Sequence, residues 1–320
     1  MFVRLAILLA AFSLCSPAVA GSLRFAENRP EQYDFADLAR LPPEFGRGEF
    51  SFELWIKPDA GYPVGPVYRA SKAQLRNWSD ADPKPYSSPG WWLTGNWLLD
   101  GHTRPEGYTA GATREGTFSL QFYGGGRLRW MFADDKVNAS MTAGEPQGSV
   151  YAVQAWPAAT TPSLLDDKWH HVVAVRRWRA PEGATLELWI DGARVAATDI
   201  ATRTDMRRFW DQLAHPRDPK ELGGWAFGSE VMTAWDYEFT QYEDYKGLVD
   251  ALRLWGRALT PEQIAAAAKG GRIDRTALLG RYGFDEGRGD RAVDALNPNH
   301  EITLHRMPLG WSPEDAPARD

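Results

Sequence analysis

The 320-residue sequence holds a single cysteine, Cys15, and it falls in an N-terminal stretch that reads as a leader. Arg4 gives that stretch a positive start, Leu5 to Leu14 an apolar run, and Ala18-Val19-Ala20 a small-residue cleavage pattern. Leu14 is a poor fit to the small residue that lipid attachment at Cys15 requires. Cleavage near Ala20 and a secreted or periplasmic mature chain are therefore expected. Such a chain has no thiol, which excludes disulfides, thiolate nucleophiles and cysteine-bound metals. Its stability must rest on its hydrophobic core. The apolar run is also shorter than the roughly 20 residues that a membrane span needs, so no span is expected. The net charge is −6 and no basic run occurs, so nucleic acid is not an expected partner.

Catalytic signatures are missing too. There is no H-E-x-x-H or H-x-H for zinc, no G-x-S-x-G, and no phosphate-binding G-x-x-x-x-G-K-[ST]. His170 and His171 are strand neighbours and point apart; His300 and His305 do the same if extended; His102 and His215 stand alone in loops. Among the acids, Glu238 and Glu243 are five apart, and Asp134-Asp135 and Asp166-Asp167 are turn-like neighbours. None gives the one-faced spacing of a glycosidase acid, helper and nucleophile on a strand. No period of roughly 20–50 residues repeats, which excludes a solenoid.

What the chain has is aromatics, glycine and proline: 15 Trp, 30 Gly and 22 Pro. That composition suits many short strands joined by long loops. Phe50, Phe52, Leu54 and Ile56 alternate with Ser51, Glu53 and Trp55, and Pro58 ends the run. Phe118 to Phe122 and Leu128 to Phe132 flank three glycines as a hairpin. Trp169 to Trp178 and Thr185 to Asp191 read as core strands, and Asp191-Gly192 turns into Ala193 to Thr198. Ser22 to Phe25, Tyr33 to Phe35, Tyr151 to Ala155, Leu278 to Phe284 and Glu301 to His305 complete the predicted strands. A short helix is expected over Met206 to Leu213.

The most informative stretch is Gly247 to Ile264. Its first nine residues run extended, with Leu248, Asp250, Leu252 and Leu254 expected on one face and Val249, Ala251, Arg253 and Trp255 on the other. Asp250 and Arg253 each need a partner if buried. Thr260-Pro261-Glu262-Gln263 then supplies an N-cap, a first-turn proline and a capping box, and Gly270-Gly271 stops the helix. This stretch resembles the terminal signature of bacterial laminin-G-like, concanavalin A-like jelly-roll domains, with Gly247, Val249, Asp250, Leu252, Arg253, Leu254, Trp255, Arg257, Ala258, Leu259, Thr260 and Ile264 fitting. Ala251 and Gln263 depart from it. Phe50 to Pro58, Lys168 to Val175 with Leu186 to Gly192, and Gly280 to Asp290 resemble further segments of the same family, in family order.

The resemblance implies an all-β jelly-roll sandwich of two antiparallel sheets, with long inserted loops and a short helix near the C-terminus. We expect one domain over residues 21–311, after a leader at 1–20 and before a tail at 312–320. It also implies a possible Ca²⁺ site holding Asp250, with Glu27 or Asn28 standing in for the family's missing aspartate; an ion pair is the other way to satisfy Asp250. Residues 59–116 and 199–246 are insertions rich in aromatics. Trp78, Trp91, Trp92, Trp97, Trp225 and Trp235 are candidates to stack on the C–H faces of a sugar, or else to pin these loops to the sandwich. The expectation is a non-catalytic carbohydrate- or glycoconjugate-binding protein. The alternatives are a hydrolase or lyase of the same fold and a protein-interaction or envelope-structural module.

Overall fold

In the computed structural model, residues 21–25, 35–38, 41–60, 96–102, 116–123, 126–132, 153–155, 157–158, 160–200, 226–228, 245–305 and 310–317 are described. They form strands β1 (Ser22–Phe25), β2 (Phe35–Asp37), β3 (Phe50–Pro58), β4 (Asn96–His102), β5 (Gly116–Tyr123), β6 (Arg127–Phe132), β7 (Val153–Ala155), β8 (His170–Trp178), β9 (Ala184–Ile190), β10 (Ala193–Ile200), β11 (Ala226–Phe227) and β12 (Gly247–Trp255). Helix α1 (Pro261–Ala267) follows, then β13 (Leu278–Tyr282), β14 (Arg291–Val293), β15 (Glu301–His305) and β16 (Trp311–Ser312). The predicted strand at Leu278 stops at Tyr282, because Phe284 takes a positive φ of 53° that breaks the extended run. The expected helix over Met206 to Leu213 lies outside the described residues. Among the described residues no helix is long and apolar enough to cross a membrane.

The strands build two sheets. The first runs β10-β9-β8-β3-β12-β1-β16, with β13 also paired to β12; the second runs β14-β15-β2-β11-β4-β5-β6-β7. Every ladder is antiparallel. Phe50, Phe52, Leu54 and Ile56 of β3 face inward against Leu120, Phe122, Leu128 and Trp130 of the second sheet, and all are buried. Burying such a side chain contributes about 1.5–3 kcal/mol, so this shared interior is the main stabilising element of a protein without crosslinks.

The first sheet also buries its outer face. Val173, Val175, Trp189 and Trp255 pack beneath Leu259 and Ile264 of the helical segment. The capping box forms as the sequence predicts: Gln263 N–H donates to Thr260 Oγ1 at 3.3 Å, and Thr260 N–H donates to Gln263 Oε1 at 2.9 Å. Ser51 Oγ joins the helix approach to β3 by donating to Arg257 O and accepting from Leu259 N–H. Asp191 and Gly192 both have positive φ, 51° and 80°, which a two-residue hairpin turn requires. A Cβ on Gly192 would lie 3.2 Å from Ala265 Cα, so the turn packs directly on the helix.

One prediction about β12 is corrected. Its two faces do not alternate strictly, because Ala251 takes a left-handed φ of 48° and the register to β3 jumps between Asp250 and Arg253. This is a β-bulge: one extra residue shifts the phase of all that follow. Val249, Leu252 and Leu254 therefore join the interior. Asp250 and Arg253, opposite Trp55 and Glu53, share the outer face with Leu248, whereas Leu252 and Leu254 lie on the other. The bulge sits where the far edge of β12 changes partner, from β1 at Gly247–Val249 to β13 at Leu252–Trp255.

Candidate functional site

On the outer face of the first sheet, three adjacent strands converge on one carboxylate. Glu53 of β3 accepts hydrogen bonds from His171 Nε2 of β8 at 3.0 Å, Arg253 Nη1 of β12 at 2.9 Å and Trp255 Nε1 at 2.7 Å. Burial alone would push the Glu53 carboxyl up, but the His171 hydrogen bond, the Arg253 charge and the Trp255 donor outweigh it and hold it below the usual range. Glu53 thus remains ionised in a dry place. His171 Nδ1 and Trp55 Nε1 are buried with no hydrogen-bond partner among the described residues, and the two rings lie 5.1 Å apart.

Beside this network lies a cleft of about 180 Å³ lined by Arg253, Trp255, Arg272, Ile273, Arg275 and Leu278. Arg253 is its inner wall, with its side chain only 7% exposed. Arg272 and Arg275 are exposed and come from the segment between α1 and β13. Asp274 lies between them in sequence but does not line the cleft. Its carboxylate accepts from Thr276 N–H, Thr276 Oγ1 and Arg257 Nη1, which holds its pKa below the usual range.

The outer face of the second sheet carries a different polar set. Ser119, Gln121 and Arg129 are fully buried, and Arg129 Nε donates to Gln121 Oε1 at 3.0 Å, with a second, shorter bond from Nη2. Trp97 of β4 stands opposite Gln121 of β5, which stands opposite Arg129 of β6, so the three occupy one cross-strand row. Of the other tryptophan candidates, Trp78, Trp91, Trp92, Trp225 and Trp235 lie outside the described residues. In sequence Trp92 comes three residues short of β4 and Trp225 directly precedes β11; β4 and β11 are hydrogen-bonded neighbours through Ala226–Asp100 and Phe227–Leu99.

Asp250 is buried and its described partners are backbone amides: Ala251 N–H at 2.6 Å on Oδ1 and Ala316 N–H at 2.9 Å on Oδ2. The second of these bonds anchors residues 312–317 to β12, and no group of three metal-binding side chains occurs among the described residues. Glu27 and Asn28 lie outside the described residues. The other buried acids are also engaged. Glu187 accepts from Arg177 and Trp189, Asp294 from the backbone N–H groups of Arg281 and Leu296, and Glu301 from Arg291. Glu286 is the described acid whose pKa is raised: burial lifts it, although Oε1 accepts from Val293 N–H.

Sequence reasoning missed the Glu53 network and the cleft. Arg253 was flagged as needing a partner, but Glu53 lies 200 residues away, and no local pattern announces a cross-strand pair. The segment Arg272-Ile-Asp-Arg275 carried a signal only in its two cations.

No curated protein matches the chain by sequence. Solved structures similar to it include a candidate carbohydrate binding protein from Bacteroides ovatus, at 16% identity over 93% of this chain and 62% of that one, with a TM-score of 0.45. A heptameric SAP-like pentraxin from Limulus polyphemus is 12% identical over 93% of this chain and 94% of that one, with a TM-score of 0.40. Domains LG4-5 of the mouse laminin alpha1 chain are 12% identical over 75% of this chain and 44% of that one, with a TM-score of 0.37. A family model of laminin-G type matches residues 98–265, slightly more than half of the sequence, from β4 into α1 and across the whole signature strand β12. With two antiparallel sheets around one core and a capped helix after β12, the chain belongs to the concanavalin A-like lectin/glucanases superfamily.

Proposed function

We propose that this is a secreted or periplasmic, non-catalytic binding protein whose ligand is a carbohydrate, held against the outer side of the second sheet. The observation that carries the reading is the pairing of two strands, β4 and β11, that aromatic-rich segments flank in sequence. Residues 61–95 lead into β4, residues 201–225 lead into β11 and 229–244 leave it, and β4 and β11 are paired. Trp97 lies on β4, and in sequence Trp225 adjoins β11 and the Trp91-Trp92 pair comes shortly before β4, which supports the reading that aromatic side chains as far as 134 residues apart serve one ligand. Aromatic faces offer sugars a rigid stacking surface, and the polar row of Gln121 and Arg129 stiffens the sheet beneath it. The engagement of the described buried acids in structural hydrogen bonds favours binding over acid–base hydrolysis. Membership of a superfamily named for lectins as well as glucanases accords with this choice.

The test is a glycan array probed with residues 21–320, with calcium and with EGTA, beside Trp97→Ala and Trp225→Ala. Binding to one sugar class, weakened at least about tenfold in either variant, supports the reading. Loss of binding in EGTA would add a calcium ion supported by Asp250, Glu27 or Asn28. Absence of binding to any glycan in either buffer, or full binding by both variants, would overturn the reading in favour of a protein partner.

A further inference from the structure

We propose that the cleft between β12, β13 and residues 271–278 is a second binding site, specific for a small oxyanionic group such as a sulfate, phosphate or carboxylate. Arg253, Arg272 and Arg275 line it, and no acidic side chain does. The side chains of Arg272 and Arg275 have no hydrogen bond or ion pair among the described residues. Arg253 also stands directly opposite Arg281 of β13. Like charges opposite each other on neighbouring strands are unfavourable unless an opposite charge relieves them.

Glu53 supplies that charge to Arg253, but among the described residues no carboxylate pairs with the side chains of Arg272, Arg275 or Arg281. Glu53 is buried and already accepts from His171, Arg253 and Trp255, and Asp274 is engaged by Arg257 and Thr276. Glu53 is bonded to Arg253, while Arg272 and Arg275 line the same cleft and Arg281 stands opposite Arg253 on the next strand, in a protein whose overall charge is −6. The concentration of positive charge is local rather than a consequence of composition.

The geometry suits capture of an anion. Guanidinium groups present paired N–H donors that match the oxygens of carboxylate, sulfate or phosphate. The bond to Glu53 fixes Arg253 in advance, so little of its side-chain freedom is lost on binding. Trp255, Ile273 and Leu278 form apolar walls that lower the local dielectric and strengthen the field of the arginines. The same walls offer contact for a carbon skeleton bearing the anion. The site is on the first sheet and is independent of the seam between β4 and β11.

Calorimetric titration of the protein with sodium sulfate and with glucose 6-sulfate, against glucose and sodium chloride at matched ionic strength, tests the proposal. Saturable binding of a sulfate-bearing probe, weakened at least about tenfold in the double variant Arg272→Ala/Arg275→Ala, is the expected result. Both substitutions fall on exposed side chains. Equal binding of the two sulfate probes identifies a free anion as the ligand, whereas tighter binding of glucose 6-sulfate identifies an anionic sugar. No saturable response beyond chloride, or unchanged affinity in the double variant, overturns the proposal. Array binding by the double variant separates the two sites: neutral-glycan binding persists when only the anion cleft is lost.

Discussion

On the outer face of the first sheet, Glu53 gathers donors from β8 and β12, so one carboxylate links three neighbouring strands whose sequence positions span 200 residues. On the outer face of the second, Arg129 and Gln121 are eight residues apart in a single hairpin, and Arg129 donates to Gln121 across it. Both sets are buried, but they do different work. The first is a register lock closed over by α1 and the C-terminal segment. The second is a local brace on a sheet whose strand ends feed the long aromatic segments. The lesson is that burial of a charge does not mark function by itself; what matters is how many separate elements depend on it.

The largest expected effect tests that distinction. Glu53→Ala would leave His171, Arg253 and Trp255 with buried donors around a missing acceptor, and should cost about 3–5 kcal/mol. Gln121→Ala removes one acceptor from Arg129 within a single hairpin and should cost less, about 1–3 kcal/mol. Urea denaturation followed by tryptophan fluorescence gives both values. Equal costs, or a larger cost at Gln121, would break the comparison.

A smaller effect is expected at the bulge that aims Asp250 and Arg253 outward. Ala251 holds a φ of 48° and packs against Trp55 and Ala316. A β-branched residue is strained in this conformation, so Ala251→Val should destabilise by about 1–3 kcal/mol. Ala251→Gly removes the penalty on the backbone and should change stability by less than about 1 kcal/mol. The pair of midpoints in the same denaturation assay decides the matter. If valine were as well tolerated as glycine, the positive φ at this position would be wrong.

The parts of the fold legible in the sequence are those encoded locally. Thr260, Pro261 and Gln263 specify the helix start by their own side chains, Asp191-Gly192 specifies its turn, and β1, β12 and β15 begin and end where the alternating pattern does. The bulge was not legible. Strict alternation counts each residue as one step, and Ala251 has no turn chemistry that would announce a skipped one. Glu53 was assigned correctly to an outward position, which ordinarily means solvent, and only the arrival of α1 above β8 and β12 makes that position an interior. The cleft depends on the same arrival, since Arg272 and Arg275 reach Arg253 only after the helix has folded back across the sheet. The pairing of β4 with β11, which sets Asp100 opposite Ala226, was not legible either, because no local pattern announces a contact so distant in sequence.

The smallest expected effect is a pH dependence confined to the first sheet. His170 bridges Asp191 Oδ2 at 2.8 Å and Asp166 Oδ1 at 3.0 Å at the end where β8 meets the β9–β10 turn. Burial disfavours its charged form, but hydrogen bonds and charges from Asp191 and Asp166 more than compensate, and its pKa is raised. Asp166 moves the opposite way. Burial would lift it, yet hydrogen bonds from Lys168 and His170 bring it down to about 2, and Asp191 is lowered as well. A histidine with a raised folded pKa contributes stability that is complete below its unfolded value of about 6.5 and is lost as pH rises through the folded value. The two carboxylates contribute above their unfolded value of about 3.9 and lose that contribution as pH falls, for Asp166 towards about 2. The cluster is therefore most stabilising between these limits. The difference in denaturation midpoint between the wild type and His170→Gln should shrink as pH is raised from 6 to 8. Hydrogen exchange, corrected for its intrinsic pH dependence, should report the loss of protection in β9 and β10 and not in β5 and β6. A midpoint difference that stays constant with pH would show that His170 acts by packing alone, and a change spread equally over both sheets would dissolve the distinction between them.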